Sequence, residues 1–199
     1  NFSEVMDGEI SAANSVVDWA DFYNVINNCN TVLEFAPGVR EIDGTFTERQ
    51  LNEYKAEVLT LRALMYFYLV RSFRDVPFVT EAYISDDQDL YVGKTSGAII
   101  LDSLVADLQY AAVNAPSAYA TNAENKSRIT RWTARALLAD IYLWQENYTA
   151  CNNVLNEIIG SNRYSLMPVE QTKEYVVDDG VLIDSITIPS ESDAERIFV

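Results

Sequence analysis

Between Leu51 and Thr80 the chain switches once from a helical period to an extended segment, and that switch constrains the fold more than any other feature. Apolar residues at Leu51, Tyr54, Val58, Leu61, Met65 and Tyr68 recur three and four apart. That spacing lays one stripe along an α-helix. Leu64, Phe67 and Val70 widen the stripe, so the helix is expected to be enclosed by neighbours. Thr47 with Gln50 fits a capping box at its start. Pro77 cannot continue a helix and biases Val76 toward extended geometry, so Val-Pro-Phe-Val-Thr reads as a short strand.

Composition limits what surrounds this helix. The chain has 199 residues, 49% hydrophobic and 12% aromatic, enough for a globular core in one or two domains. The formal charge of −16 repels a phosphate backbone, which argues against nucleic acid as a partner, and it suits a bare anionic membrane poorly. Histidine is absent, which removes the commonest general base and zinc ligand, along with Ser-His-Asp and Cys-His catalysis. Neither a P-loop nor a dinucleotide fingerprint is present, so no cofactor is expected. No apolar run reaches the roughly 18 residues that a membrane span needs. Cys29 and Cys151 read as small buried apolar residues, and a disulfide between them would depend on geometry. No signal peptide or lipidation cysteine is visible, and both ends read as cuts within a longer protein.

Helical patterns dominate the rest. One runs from about Ser11 to Ala36, with Val16, Trp19, Phe22, Tyr23, Ile26, Val32 and Leu33 near its stripe. Asn27, Asn28 and Asn30 weaken its propensity, so tertiary packing must support it, and Pro37-Gly38 is expected to end it. Another spans Ser96 to Asn114, with Ile100, Leu104, Leu108, Ala111 and Ala112 on one side. Residues 117–128 read as a polar loop. Thr130 to Ser161 reads as a helical hairpin turning near Glu146-Asn147. Leu138, Ala139, Tyr142, Tyr148, Cys151, Leu155 and Ile158 fall at the apolar offsets of a tetratricopeptide hairpin, with Ala139 and Cys151 small enough for close approach. The expected fold is therefore mainly α, with tetratricopeptide-like helix pairs over residues 1–167. Residues 168–199, with Val176-Val177, Val181-Leu182-Ile183, Ile186 and Ile188, read as loop with short strands opening a second region.

Leu61-Arg62-Ala63, Tyr66, Leu69-Val70, Phe73 and Asp75-Val76-Pro77 resemble the signature helix of the SusD/RagB family, surface glycan-binding lipoproteins of Bacteroidetes-type bacteria. The resemblance extends to Trp19, Tyr23, Ile26 and Asn30, to Asp107-Leu108 and Ala111, and to Thr133 through Ala139 with Tyr142-Leu143 and Asn147-Tyr148. It continues through Ser161 to Leu166 and Glu195 to Phe198. Arg74 stands where the family usually has glycine, which questions the helix-cap geometry there, and Cys151 replaces a usual alanine. The resemblance implies non-catalytic capture of an oligosaccharide nutrient at the outer-membrane surface. It also implies a lipid anchor outside this chain and delivery to a TonB-dependent channel of the SusC type.

Stacking on a sugar needs flat apolar faces, and hydroxyls need planar polar groups. Trp19, Tyr23, Tyr83, Tyr91 and Tyr119 are the candidate ligand residues, although Trp19 and Tyr23 also fit the core. Trp132 and Trp144 read as structural parts of the hairpin. Arg62, inside an apolar helix, must have partners and is expected to pair with Glu or cap carbonyls. The acidic pairs Asp18/Asp21, Glu53/Glu57 and Asp178/Asp179 read as solvated surface. Asp86, Asp87 and Asp89 faintly suggest oxygen ligands for calcium but lack the glycine and terminal glutamate of such a loop, so no metal site is expected. Two rival classes are a helical-repeat protein adaptor without a small ligand and an all-helical glycoside hydrolase. The hydrolase would need two carboxylates facing each other across a cleft.

Overall fold

The structure, a computed structural model, describes residues 2–11, 14, 17–85, 87–88, 91–165, 174–178 and 181–185. It forms two compact units, Asn1–Asn114 and Ala115–Val199. The first contains α1 (Phe2–Asp7), α2 (Ala20–Ile42), α3 (Glu48–Phe73), β1 (Val76–Pro77), β2 (Lys94–Thr95) and α4 (Gly97–Asn114). The second contains α5 (Asn122–Ser127), α6 (Arg131–Trp144), α7 (Tyr148–Gly160), β3 (Glu174–Asp178) and β4 (Val181–Ser185).

In the first unit α3 lies between α2 and α4. The expected capping box is present: Thr47 Oγ1 accepts from the Gln50 amide at 3.2 Å, and Gln50 Oε1 accepts from the Thr47 amide at 2.9 Å. The buried face of α3 differs from the predicted stripe. Ala56, Thr60, Ala63, Tyr66, Phe67, Leu69 and Val70 are buried, whereas Tyr54 and Tyr68 are about half exposed at 47% and 49%. Apolar bulk governs a periodicity count, but a helix flanked on two sides places its smallest residues where backbones approach most closely. Thr60 fits such a position because its hydroxyl bonds the Ala56 carbonyl at 2.8 Å. The α4 stripe is as expected, with Ile100, Leu104, Leu108, Ala111 and Ala112 all buried. Burying each of its larger aliphatic side chains contributes about 2 kcal/mol.

The junction after α3 is tight. Arg74 adopts φ 67° and ψ −85°, and its amide closes the helix on the Val70 carbonyl at 2.8 Å. The chain thus reverses through a positive φ without the usual glycine. Glycine is instead required at Gly97, where an added Cβ would sit 2.7 Å from the Arg74 carbonyl oxygen. Asp75 Oδ1 accepts from the Gly97 amide at 3.0 Å, setting a carboxylate at the N-terminus of α4. β1 then pairs antiparallel with β2 in the register Val76↔Thr95 and Pro77↔Lys94.

Two boundaries differ from expectation. α2 begins at Ala20 rather than Ser11, and it continues through Pro37-Gly38 to Ile42. The proline lacks one amide donor, but the last turn is still closed by the Asp43 amide on the Val39 carbonyl at 2.8 Å. Residues 117–128 also contain the short helix α5, opened by a Thr121–Glu124 capping box.

In the second unit α6 and α7 form the expected hairpin. The Asn147 amide bonds the Tyr142 carbonyl at 2.8 Å and the Glu146 amide bonds that of Leu143 at 3.0 Å, with Glu146 at φ 60°. This is a Schellman ending with glutamate in the left-handed position. Leu138, Ala139, Ile141 and Cys151 are buried, while Tyr148 and Leu155 are exposed. Trp132 donates its indole N–H to the Ser117 carbonyl at 3.2 Å, tying α6 to the preceding loop, and Arg135 of α6 pairs with Glu157 of α7 at 2.7 Å, bracing the hairpin. Trp144 is half exposed at 51%. β3 and β4 pair antiparallel with Val176 opposite Ile183 and Val177 opposite Leu182, as the apolar runs suggest. Val16, Leu166, Ile186, Ile188 and the 195–198 segment lie outside the described residues.

Both cysteines are free and buried. No helix among the described residues is long and apolar enough to cross a membrane.

Candidate functional site

The segment after β1 gains almost no sheet pairing, so its backbone polar groups must find other partners. Side chains of α2 supply them. Tyr23, Asn27, Asn30 and Glu34 recur at spacings of four, three and four, which places them on one helical face. The Tyr23 hydroxyl donates to the Pro77 carbonyl at 2.7 Å. Asn27 clasps Tyr83 with both ends of its amide, accepting from the Tyr83 amide at 2.7 Å and donating to its carbonyl at 2.9 Å. Asn30 donates to the Val79 and Glu81 carbonyls at 3.1 and 3.0 Å. Glu34 accepts from the Ala82 amide at 3.3 Å. From α3, the Tyr66 hydroxyl donates to the Val79 carbonyl at 2.9 Å and accepts from its amide at 2.8 Å. Two of the asparagines that weaken α2 as a helix, Asn27 and Asn30, therefore act as substitute strand partners for residues 79–83.

A buried cation anchors this seam. Arg62 donates to Asn30 Oδ1 at 2.8 Å and to Asp107 Oδ2 at 2.7 Å, joining α2, α3 and α4. Its partners are thus an amide and an aspartate rather than the expected glutamate. The Arg62 side chain is only 7% exposed, so the pairing compensates a guanidinium withdrawn from water. Burial, and then the neighbouring Tyr66, pushes the Tyr23 phenol far above its ordinary value. Burial likewise pushes Tyr66 up to about 12. Both hydroxyls therefore remain protonated donors at neutral pH.

Along this seam lies a pocket of about 300 Å³ lined by Tyr23, Ile26, Asn27, Pro77, Val79, Tyr83 and Val92. Among the described residues its wall is mostly apolar and carries no charged side chain. It brings together Tyr23 and Tyr83, two of the five ligand candidates. Trp19 lies beside it rather than in its lining. Its ring is 6.2 Å from that of Tyr23 and packs edge-on against Phe73 at 5.1 Å, with the indole nitrogen buried and unpartnered. Tyr91, immediately before the lining residue Val92, is 97% exposed. Tyr119 belongs to the second unit, where its hydroxyl bonds the Ile129 carbonyl at 2.8 Å and Arg128 covers its ring at 4.2 Å. Asn27, the pocket's main polar organiser, escapes an aromatic-centred search, although the 23/27/30/34 spacing marks it.

Among the described residues no three His, Cys, Asp or Glu side chains group as metal ligands, and Asp86 and Asp89 lie outside those residues. The acidic candidates Asp18 and Asp21 are exposed, Glu53 pairs with Arg49 at 2.8 Å, and neither pair lines the pocket.

Comparison with known proteins agrees with this architecture. The SusD-like family model described as "Starch-binding associating with outer membrane" matches residues 2–143. SusD-like protein P25 of Formosa agariphila is 34% identical over 149 residues, which is 75% of this chain and 27% of that protein. A SusD superfamily protein from Bacteroides thetaiotaomicron superposes with a TM-score of 0.75 at 27% identity, covering 86% of this chain and 41% of the other. A laminarin-binding SusD-like protein superposes with a TM-score of 0.65 at 29% identity, covering 75% of this chain and 32% of the other. The chain thus spans between 27% and 41% of the length of these relatives. With the family model covering residues 2–143 and solved family members superposing on a mainly α architecture, the chain belongs to the SusD-like family.

Proposed function

We propose that this chain takes part in non-catalytic capture of an oligosaccharide at the outer-membrane surface, for delivery to a TonB-dependent channel of the SusC type. The observation that carries the ligand half is the pocket on the α2 seam, where Tyr23 and Tyr83 meet within the family-matched residues. Its volume of about 300 Å³ suits one sugar residue, and two aromatic rings offer stacking faces. Tyr91 extends the aromatic surface beyond the lining, and Trp19 supports Tyr23 from behind. A relative named for laminarin binding is consistent with a glycan ligand. Non-catalytic action is the reading adopted for the described lining, which holds no carboxylate, whereas glycoside hydrolysis typically needs two. The site falls in the helical region proposed for residues 1–167, with 168–199 opening a second region.

A protein partner is supported by the exposed side of α2. Val32, Phe35, Val39 and Ile42 recur three, four and three apart and are 38%, 46%, 48% and 90% exposed. That stripe offers an apolar contact surface of the kind a channel could cover. A lipid anchor holding the protein at the membrane follows the family pattern.

The test is a deletion of the gene followed by growth and uptake assays on candidate glycans, with extracellular hydrolysis measured in parallel. Uptake is expected to fall while hydrolysis persists. Unchanged uptake on every glycan that supports growth would overturn the proposal.

A further inference from the structure

We infer that the α2 pocket seats a neutral, poorly hydroxylated sugar residue, such as a 6-deoxyhexose or an O-acetylated hexose, and rejects uronic acids and sulfated sugars. This rests on the capture reading and narrows its ligand. Three observations converge. First, among the described residues the lining of Tyr23, Ile26, Asn27, Pro77, Val79, Tyr83 and Val92 contains no cation to balance an anionic ligand, and the whole chain carries −16. An unpaired carboxylate or sulfate entering it would lose hydration without compensation. Second, the polar side-chain atoms there are largely committed. The Tyr23 hydroxyl is engaged by Pro77, and both amide ends of Asn27 are engaged by Tyr83. A fully hydroxylated sugar would find few donors there, because the Tyr23 proton and the Asn27 amide are already used. Third, Ile26, Pro77, Val79 and Val92 supply aliphatic surface that a methyl or acetyl group covers better than a hydroxyl does.

The test uses protein with labelled Ile and Val methyls, titrated with matched probes: L-fucose against L-galactose, L-rhamnose against L-mannose, 6-O-acetylglucose against glucose, and glucuronate. In at least one pair, the less polar member should move the Ile26, Val79 and Val92 signals at a concentration at least fivefold lower than its partner. Glucuronate should leave them still. Val92→Asp should weaken the response at least fivefold; Val92 is 37% exposed, so this variant is expected to fold. Equal response to both members of every pair, a response to glucuronate, or no response to any probe would overturn the inference. A glycan array run on the same protein separates the two levels. Array binding with silent pocket methyls overturns the inference and leaves capture standing, whereas array silence with responsive methyls overturns capture and leaves the pocket chemistry standing.

Discussion

Replacing Asn30 with alanine tests whether the α2 side chains, rather than general packing, hold residues 77–83 in place. Asn30 is 1% exposed and its amide joins three groups: Arg62 Nη1, the Val79 carbonyl and the Glu81 carbonyl. The three losses are unequal. Val79 keeps its bond from the Tyr66 hydroxyl at 2.9 Å, so its carbonyl is spared. Arg62 keeps Asp107, but one buried N–H of a charged group loses its acceptor, and its Nε already has none. Leaving a buried polar group unsatisfied costs about 1–3 kcal/mol, more when it is charged, so Asn30→Ala should cost about 3 kcal/mol. With a urea m-value of about 2 kcal/mol per M, the midpoint of the first unit should fall by roughly 1.5 M. Hydrogen exchange gives the local readout. The Val79 and Tyr83 amides, bonded to Tyr66 and Asn27, should exchange faster than those in the middle of α4. A loss below about 1 kcal/mol with unchanged exchange at both amides would refute the reasoning, because packing alone would then hold the segment.

Three further outcomes follow from the same geometry. Gly97→Ala should destabilise by about 1–3 kcal/mol despite alanine's better helix propensity, since its Cβ would meet the Arg74 carbonyl at 2.7 Å; an unchanged melting temperature would contradict that contact. Arg74→Gly should stabilise by about 1 kcal/mol by relieving a side chain held at φ 67°, and a lower midpoint would mean that the arginine side chain outweighs the strain. Stability should decline in alkali. The Cys29 thiol is pushed by burial from 9.0 up to about 11, and the Tyr66 phenol from 10.0 up to about 12. Between pH 9 and 12 the unfolded chain gives up protons that the folded chain retains, so folding free energy falls with rising pH. Cys29→Ala should flatten the part of that decline between pH 9 and 11; an identical slope would remove Cys29 from the account.

The fold is legible where apolar residues and local signals coincide. Ile100, Leu104 and Leu108 mark α4 unambiguously, and Thr47 with Gln50 marks the start of α3. Legibility fails where tertiary contacts override local preference. The α3 stripe through Tyr54 and Tyr68 is displaced because the small residues Ala56 and Ala63 are fully buried in their place, which a count of bulky residues cannot register. Pro37 looks like a stop, yet α2 continues past it to Ile42. The site is legible only in its aromatic part. Tyr23 and Tyr83 stand out as candidate stacking residues, but Asn27 and Asn30 look like flaws in a helix until the backbone they hold is known. Arg62 declares its need for partners, while the identities of Asn30 and Asp107 depend on how three helices meet. Tyr119 shares the chemistry of the other candidates but is separated by topology, belonging to a different unit.

The most direct test of the proposed glycan site is a crystal structure of the protein with an oligosaccharide selected by array binding. The account predicts a sugar residue in the pocket between Tyr23 and Tyr83, with residues 77–83 still bonded to Asn27 and Asn30. An oligosaccharide bound elsewhere, with this pocket empty, would contradict it.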